Sequence, residues 1–88
     1  MDNAFISVIL PNYNHSDYIK IALKELSKQI KYIYEIIIID DYSTDESVKT
    51  IKKFVKFNKK FKFFRNNSNL GCIKTQNKAI SIAKGRFL

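Results

Sequence analysis

Four consecutive isoleucines, Ile36 to Ile39, stand between Glu35 and Asp40, and no other feature of the chain limits its fold as strongly. A half-buried strand alternates apolar and polar residues, whereas a strand that is apolar at every position needs cover on both faces. That condition is met inside a parallel sheet flanked by helices. The neighbouring segments supply such partners. Phe5 to Leu10 is apolar and rich in β-branched residues, and it then meets Pro11 and the polar cluster Asn12-Tyr13-Asn14-His15, which predicts a strand ending in a loop. Ile19, Ala22, Leu23, Leu26 and Ile30 fall on one stripe opposite Lys20, Lys24, Lys28 and Lys31. This spacing predicts a helix from Asp17 to about Ile30, capped by Ser16.

Beyond the isoleucines, Ser43 and Glu46 have capping-box spacing. They precede Val48, Ile51, Phe54 and Val55, which recur at helical spacing with Lys49, Lys52, Lys53 and Lys56 on the other side, so a second helix is expected between Ser47 and Phe57. Phe61 to Arg65 reads as a short aromatic strand, and residues 66–71 (Asn-Asn-Ser-Asn-Leu-Gly) as a loop. A third helix is expected from about Cys72 to Lys84 with Gly85 as its C-terminal glycine, and Arg86-Phe87-Leu88 as the opening of a fourth strand. The resulting order, βαβαβαβ, gives an α/β fold: a Rossmann-like parallel sheet with flanking helices. At 88 residues the chain has room for one core only, and because a strand is only beginning at its end, it is read as part of a longer protein.

With 45% hydrophobic and 27% charged residues, the chain sits near globular averages, so its net charge of +8 does not argue for disorder. The distribution of that charge is informative. Residues 1–48 contain all eight acids against four lysines and carry −4, while residues 49–88 contain ten lysines and two arginines, no acid, and carry +12. A half so basic suits an anionic partner such as nucleic acid, anionic lipid or a phosphate-bearing substrate; the plainer reading of the helix lysines is a solvated face. Cys72 is the only cysteine, which excludes an intrachain disulfide and fits a reducing, cytoplasmic compartment. It is expected to be a small packed residue, and the lone His15 a solvated loop residue. No run approaches the roughly 20 apolar residues of a spanning helix, and Asp2 near the start together with Pro11 behind it does not fit a secretory signal.

In open parallel sheets ligands bind outside the carboxyl ends of the strands, which here places the chemistry in the loops at Pro11–His15, Asp40–Asp45 and Asn66–Gly71. A glycine-rich dinucleotide fingerprint is missing after the first strand, and neither Gly71 nor Gly85 opens a Lys-Ser or Lys-Thr phosphate loop. The edge instead holds a tyrosine, Tyr13, and an aspartate pair, Asp40 and Asp41. An aromatic ring can stack on a base and a carboxylate can accept hydrogen bonds from a base N–H or a ribose hydroxyl; the same aspartates could equally serve as turn and helix-start residues.

Residues 6–14 (Ile-Ser-Val-Ile-Leu-Pro-Asn-Tyr-Asn), residues 35–45 (Glu-Ile-Ile-Ile-Ile-Asp-Asp-Tyr-Ser-Thr-Asp), Asn69-Leu70-Gly71, Asn77 and residues 83–88 (Ala-Lys-Gly-Arg-Phe-Leu) together resemble the N-terminal, nucleotide-sugar-binding part of family 2 glycosyltransferases of GT-A fold. The resemblance implies an inverting transfer of sugar from a nucleotide-sugar donor, usually a UDP-sugar, to an acceptor hydroxyl in surface polysaccharide or glycan synthesis. It implies that Tyr13 packs on the uracil with the Pro11 backbone beside it, that Asp41 hydrogen-bonds the uracil with Asp40 nearer the ribose, and that Asn69 and Gly71 belong to the loop closing over the donor. Ser43 and Asp45 are read as structural. Gln76 stands where many members have an arginine that reaches the pyrophosphate, so Lys74 is the substitute candidate. Asn77, on the face of Ile73 and Ile80, is expected to be buried, with a structural and a site role both open.

The resemblance further implies a divalent cation, Mg2+ or Mn2+, held by an Asp-x-Asp motif after the strand that begins at Arg86, with the catalytic base further on. No catalytic residue and no metal ligand is therefore assigned to this chain, which is expected to transfer no sugar on its own. The implied partners are a nucleotide-sugar donor and a glycan or lipid-linked acceptor, not nucleic acid, in the cytoplasm or at the cytoplasmic face of the membrane. Two other readings compete. One is a non-enzymatic basic module binding nucleic acid or anionic membrane through Lys49 to Arg65. The other is a phosphoacceptor receiver domain, which would need acids where Pro11-Asn12 and Asn66-Asn67 stand.

Overall fold

The computed structural model describes residues 6–84 together with Arg86 and Phe87. Its elements are β1 (Ile6–Asn12), α1 (Ser16–Lys28), a single 3-10 turn (Ile30–Tyr32), β2 (Glu35–Asp40), α2 (Ser47–Phe57), β3 (Phe61–Arg65), α3 (Cys72–Ile82) and β4 (Arg86–Phe87). The strands form one sheet in the order β3-β2-β1-β4, parallel throughout, with Leu10 opposite Ile38 and Ile38 opposite Phe63.

All six residues of β2 are buried, and the isoleucines alternate between two cores. Ile36 and Ile38 join Leu10, Ile19, Leu23, Ile51 and Phe61 under α1 and α2, while Ile37 and Ile39 meet Ile9, Phe64 and Ala79 under α3. Each is 0% exposed, and burying an isoleucine side chain stabilises by about 1.5–3 kcal/mol. The double cover that the sequence demands of this strand is thus provided by helices on opposite sides.

β1 runs two residues past the expected end at Leu10. The carbonyls of Ile6 and Asn12 accept hydrogen bonds from Tyr34 and Asp41, on the β2 side. Backbone groups alternate along a strand, so the nitrogen of Pro11 faces the other side, where among the described residues β4 pairs with Ile6 and Ser7 and none pairs with Pro11. A missing N–H is tolerated where no ladder bond is made.

Helix ends differ from the sequence reading in informative ways. α1 stops at Lys28, short of Ile30, and Ser16 is its first residue rather than its cap. The capping comes from Asp45 instead: one carboxylate oxygen accepts the Ser16 N–H at 3.1 Å and the other the Ser47 N–H at 2.9 Å, so a single side chain serves the positive ends of two helices. The expected capping box of Ser43 and Glu46 does not form, because the Ser43 hydroxyl is engaged within the site described below. Asp45→Ala is expected to lower stability by about 1–2 kcal/mol, measurable as a reduced urea midpoint with an unchanged slope.

α3 ends at Ile82, not Lys84, since Ala83 is extended with ψ 137°; the assignment of Gly85 as its terminal glycine lies outside the described residues, as do Phe5 and Leu88. The buried face of α3 is Thr75 and Ala79. Asn77 is exposed, as are Ile73 at 75% and Ile80 at 40%. The expectation of a buried Asn77 fails because small residues, not the two isoleucines, bring this helix close to the sheet. Cys72 is likewise exposed rather than packed. Among the described residues no helix is long and apolar enough to cross a membrane.

Candidate functional site at the carboxyl edge of the sheet

Asp40 and Asp41, adjacent at the end of β2, point their carboxylates into different networks. Asp40 is fully buried. It accepts hydrogen bonds from Asn12 Nδ2 at 2.9 Å, from the Ser43 N–H at 2.7 Å and from the Ser43 hydroxyl at 2.6 Å. Arg65 stands 3.6 Å away, donates to the Ser43 carbonyl and lies over the Tyr42 ring. The Ser43 hydroxyl in turn accepts from Asn12 Nδ2 and from the Asn14 N–H, and Asn14 Oδ1 receives the N–H groups of Thr44 and Asp45. Asn14 and Tyr42 carry positive φ, 52° and 68°, conformations disfavoured for residues with a Cβ and held here by these bonds. The first two loops are thereby stitched into one rigid rim.

Asp41 secures the third loop. Its Oδ1 accepts from Asn66 Nδ2 at 2.9 Å and from the Leu70 N–H at 2.7 Å, and its Oδ2 from the Gly71 N–H at 2.9 Å. Burial would push its pKa up, but the bonds from Leu70, Asn66, Gly71 and the Thr75 hydroxyl outweigh that effect and hold it below the ordinary aspartate value. Gly71 adopts φ +92° and ψ 161° at the start of α3, a backbone region open in practice to glycine alone. Asn66, 1% exposed, completes the arrangement by donating to Thr75 and accepting from Lys78.

Between these rims lies a pocket of about 380 Å³, within the range usual for small-molecule sites. Pro11, Tyr13, Asp41, Asn69 and Gly71 all line it, so five of the eight sequence-selected positions converge. Tyr13 is 45% exposed there, with ring surface free for a ligand. Asp40, Lys74 and Asn77 do not line it: Asp40 is enclosed by its own network, and the other two lie on the exposed side of α3.

Four further lining residues were not selected: Asn12, His15, Cys72 and Thr75. His15 and Cys72 look unrelated at 57 positions apart, yet both lie at the carboxyl edge: His15 falls within the first of the loops that the edge rule selected, and Cys72, the first residue of α3, lies one position past the third. Asn12 Oδ1 is buried without a hydrogen-bond partner among the described residues, an acceptor in reserve beside the pocket. Among the described residues no three His, Cys, Asp or Glu side chains come together to hold a metal ion, and both edge aspartates are occupied by hydrogen-bond donors. The residues described here do not fit the implied divalent cation.

Comparison with known proteins agrees with this fold. The family model described as Glycosyl transferase family 2 matches residues 7–88. The chain is 32% identical over 83 residues to the putative teichuronic acid biosynthesis glycosyltransferase TuaG of Bacillus subtilis, covering 94% of this chain and 33% of that protein. It is 38% identical over 85 residues to the poly(ribitol-phosphate) beta-N-acetylglucosaminyltransferase TarS of Staphylococcus aureus, covering 93% and 15%. The crystal structure of TarS 1-349 in complex with UDP superposes with TM-score 0.81 at 31% identity, over 94% of this chain and 26% of that one. The mannosyltransferase PcManGT of Pyrobaculum calidifontis, in complex with GDP-Man and Mn2+, gives TM-score 0.81 at 22% identity over 92% and 25%, a likeness of fold. This chain spans a third or less of the length of these proteins. The architecture is that of the N-terminal Rossmann-like portion of GT-A glycosyltransferases, and the chain belongs to glycosyl transferase family 2.

Proposed function

We propose that this chain holds the nucleoside of a UDP-sugar donor, in a glycosyltransferase that passes the sugar with inversion to an acceptor hydroxyl during synthesis of a surface glycan. The observation that carries the reading is the convergence of Tyr13, Pro11, Asp41, Asn69 and Gly71 on one pocket at the carboxyl edge of the sheet. The half-exposed Tyr13 ring supplies a stacking surface. The ionised Asp41 carboxylate supplies negative charge toward the donor N–H of uracil, and Asn69 and Gly71 belong to the loop that Asp41 holds in place. The names of TuaG and TarS, and the UDP seen in TarS, support a uridine donor and a glycan product. The residues described here bind and orient; no proton transfer or metal chemistry is assigned to them, and the chain alone is expected to show no transfer.

Tyr13→Ala in the whole protein is expected to weaken UDP binding by roughly 1–3 kcal/mol, the usual worth of aromatic–base stacking, with Tyr13→Phe restoring most of it. Calorimetric titration with UDP measures both. Unchanged affinity in Tyr13→Ala would overturn the reading, and a Phe variant as damaged as the Ala variant would replace stacking by a hydroxyl hydrogen bond.

A further inference from the structure

We propose that the outer face formed by α1 and α2 docks on an anionic lipid surface. A cleft of about 570 Å³ runs between these helices, larger than the pocket at the sheet edge and away from it. Phe54 and Phe57 line it together with Lys20, Lys24, Lys28 and Lys53. Phe54 packs against the core beneath, while Phe57, at the last residue of α2, is 69% exposed. Lys49, Lys52, Lys53 and Lys56 line an adjoining depression, so the lysines extend over both helices without interruption.

These lysines are not consumed by internal pairing. Of them only Lys28 has a carboxylate partner within 4 Å among the described residues, the exposed Glu25 at 2.9 Å. Uncompensated cationic side chains crowded on one face are matched by a surface of dense negative charge, each lysine near such a surface being favourable. The cleft distinguishes lipid from nucleic acid. A duplex phosphate backbone offers nothing to fill an apolar cleft, whereas here flexible lysines surround such a cleft with a protruding phenylalanine, an arrangement suited to headgroups at the rim and acyl chain within. Both helices begin beside the carboxyl edge, at Ser16 and Ser47, and run away from it down the flank of the sheet. Docking along that flank leaves the pocket mouth open to a soluble donor.

The test is co-sedimentation of the whole protein with vesicles of phosphatidylcholine alone and of phosphatidylcholine mixed equally with phosphatidylglycerol. Binding is expected to the mixed vesicles only. The triple variant K24A/K53A/K56A is expected to lower that partitioning about a hundred-fold, and Phe57→Ser roughly tenfold. All four side chains are exposed, so circular dichroism melts should match the unsubstituted protein. Absence of binding to the mixed vesicles overturns the proposal, as does binding that neither variant weakens. Loss with the triple variant but none with Phe57→Ser, together with displacement of the vesicles by duplex DNA, would assign the face to nucleic acid instead. UDP titration of the same variants is expected to be unchanged, which separates this face from the nucleotide reading.

Discussion

Asp41→Asn is expected to lower the stability of the whole protein by about 3 kcal/mol and to weaken UDP binding roughly tenfold or more. The reason lies in what the carboxylate already does. Its two oxygens accept the Leu70 and Gly71 N–H groups and the Asn66 amide. An asparagine keeps one acceptor and turns an NH2 toward a donor, so at least one buried N–H is left facing another. Hydrogen bonds to a charged acceptor are worth about 1.5–3 kcal/mol each, and an orphaned buried donor costs about 1–3 kcal/mol. The loop that loses its anchor also lines the pocket, so affinity falls along with the melting point. The base adds a second effect: uracil offers an N–H where cytosine offers an acceptor, so the loss should be larger for UDP than for CDP. Titration with both nucleotides beside a melting curve separates the contributions. A lowered melting point with unchanged UDP affinity would leave Asp41 a loop anchor and remove it from the site.

The bonds that Asp41 makes to the third loop illustrate which parts of the site are legible in the sequence. Periodicity announced the sheet, because a run such as Ile36–Ile39 has one structural solution and the flanking stripes have few. The carboxyl-edge rule then located the pocket, and five of the chosen residues meet there. Periodicity carries no information about where a polar side chain spends its hydrogen bonds, and the misreadings concentrate on that point. Asp40 and Asp41 look equivalent in the sequence; Asn12, Ser43 and Arg65 close over one, and Asn66 with the third loop closes over the other. Asp45, read as a structural residue at the start of the second helix, does bond the Ser47 N–H two residues on, but its second bond, to Ser16 at the start of α1, spans 29 positions and no local pattern encodes it. Asn77 was placed by helical spacing beside Ile73 and Ile80, and the spacing was right, but that stripe faces outward since Thr75 and Ala79 make the contact with the sheet.

The opposite end of β2 carries the other large effect, and it is one of pH. Glu35 is 1% exposed and joins four segments: its carboxylate accepts the Ser7 hydroxyl from β1 and the Lys84 N–H beyond α3, each at 2.6 Å, and the Lys62 ammonium from β3 at 2.9 Å. Burial works to raise its pKa, but the Ser7, Lys84 and Lys62 bonds prevail and bring it down from 4.5 to about 2. A carboxyl group more acidic in the folded than in the unfolded chain stabilises the fold above its unfolded pKa and ceases to do so as the pH falls through its folded pKa. With a drop of this size the contribution is about 3 kcal/mol at neutral pH, falling to roughly half near pH 3. Glu35→Gln is therefore expected to be less stable than the unsubstituted protein by about 3 kcal/mol at pH 7. The gap should narrow steadily in urea titrations repeated from pH 5 down to pH 3, the lower values being those at which an uncharged side chain has less to lose. Asp41, lowered in the same direction, adds to the acid sensitivity of the fold but is unaltered in this variant, so the narrowing of the gap reports Glu35 alone. The five-residue rise of β2 puts Glu35 about 16 Å from the edge pocket, and UDP affinity at pH 7 should be unchanged. A stability gap that stays constant from pH 7 to pH 3 would mean that packing, rather than the ionised carboxylate, holds the amino edge of the sheet together.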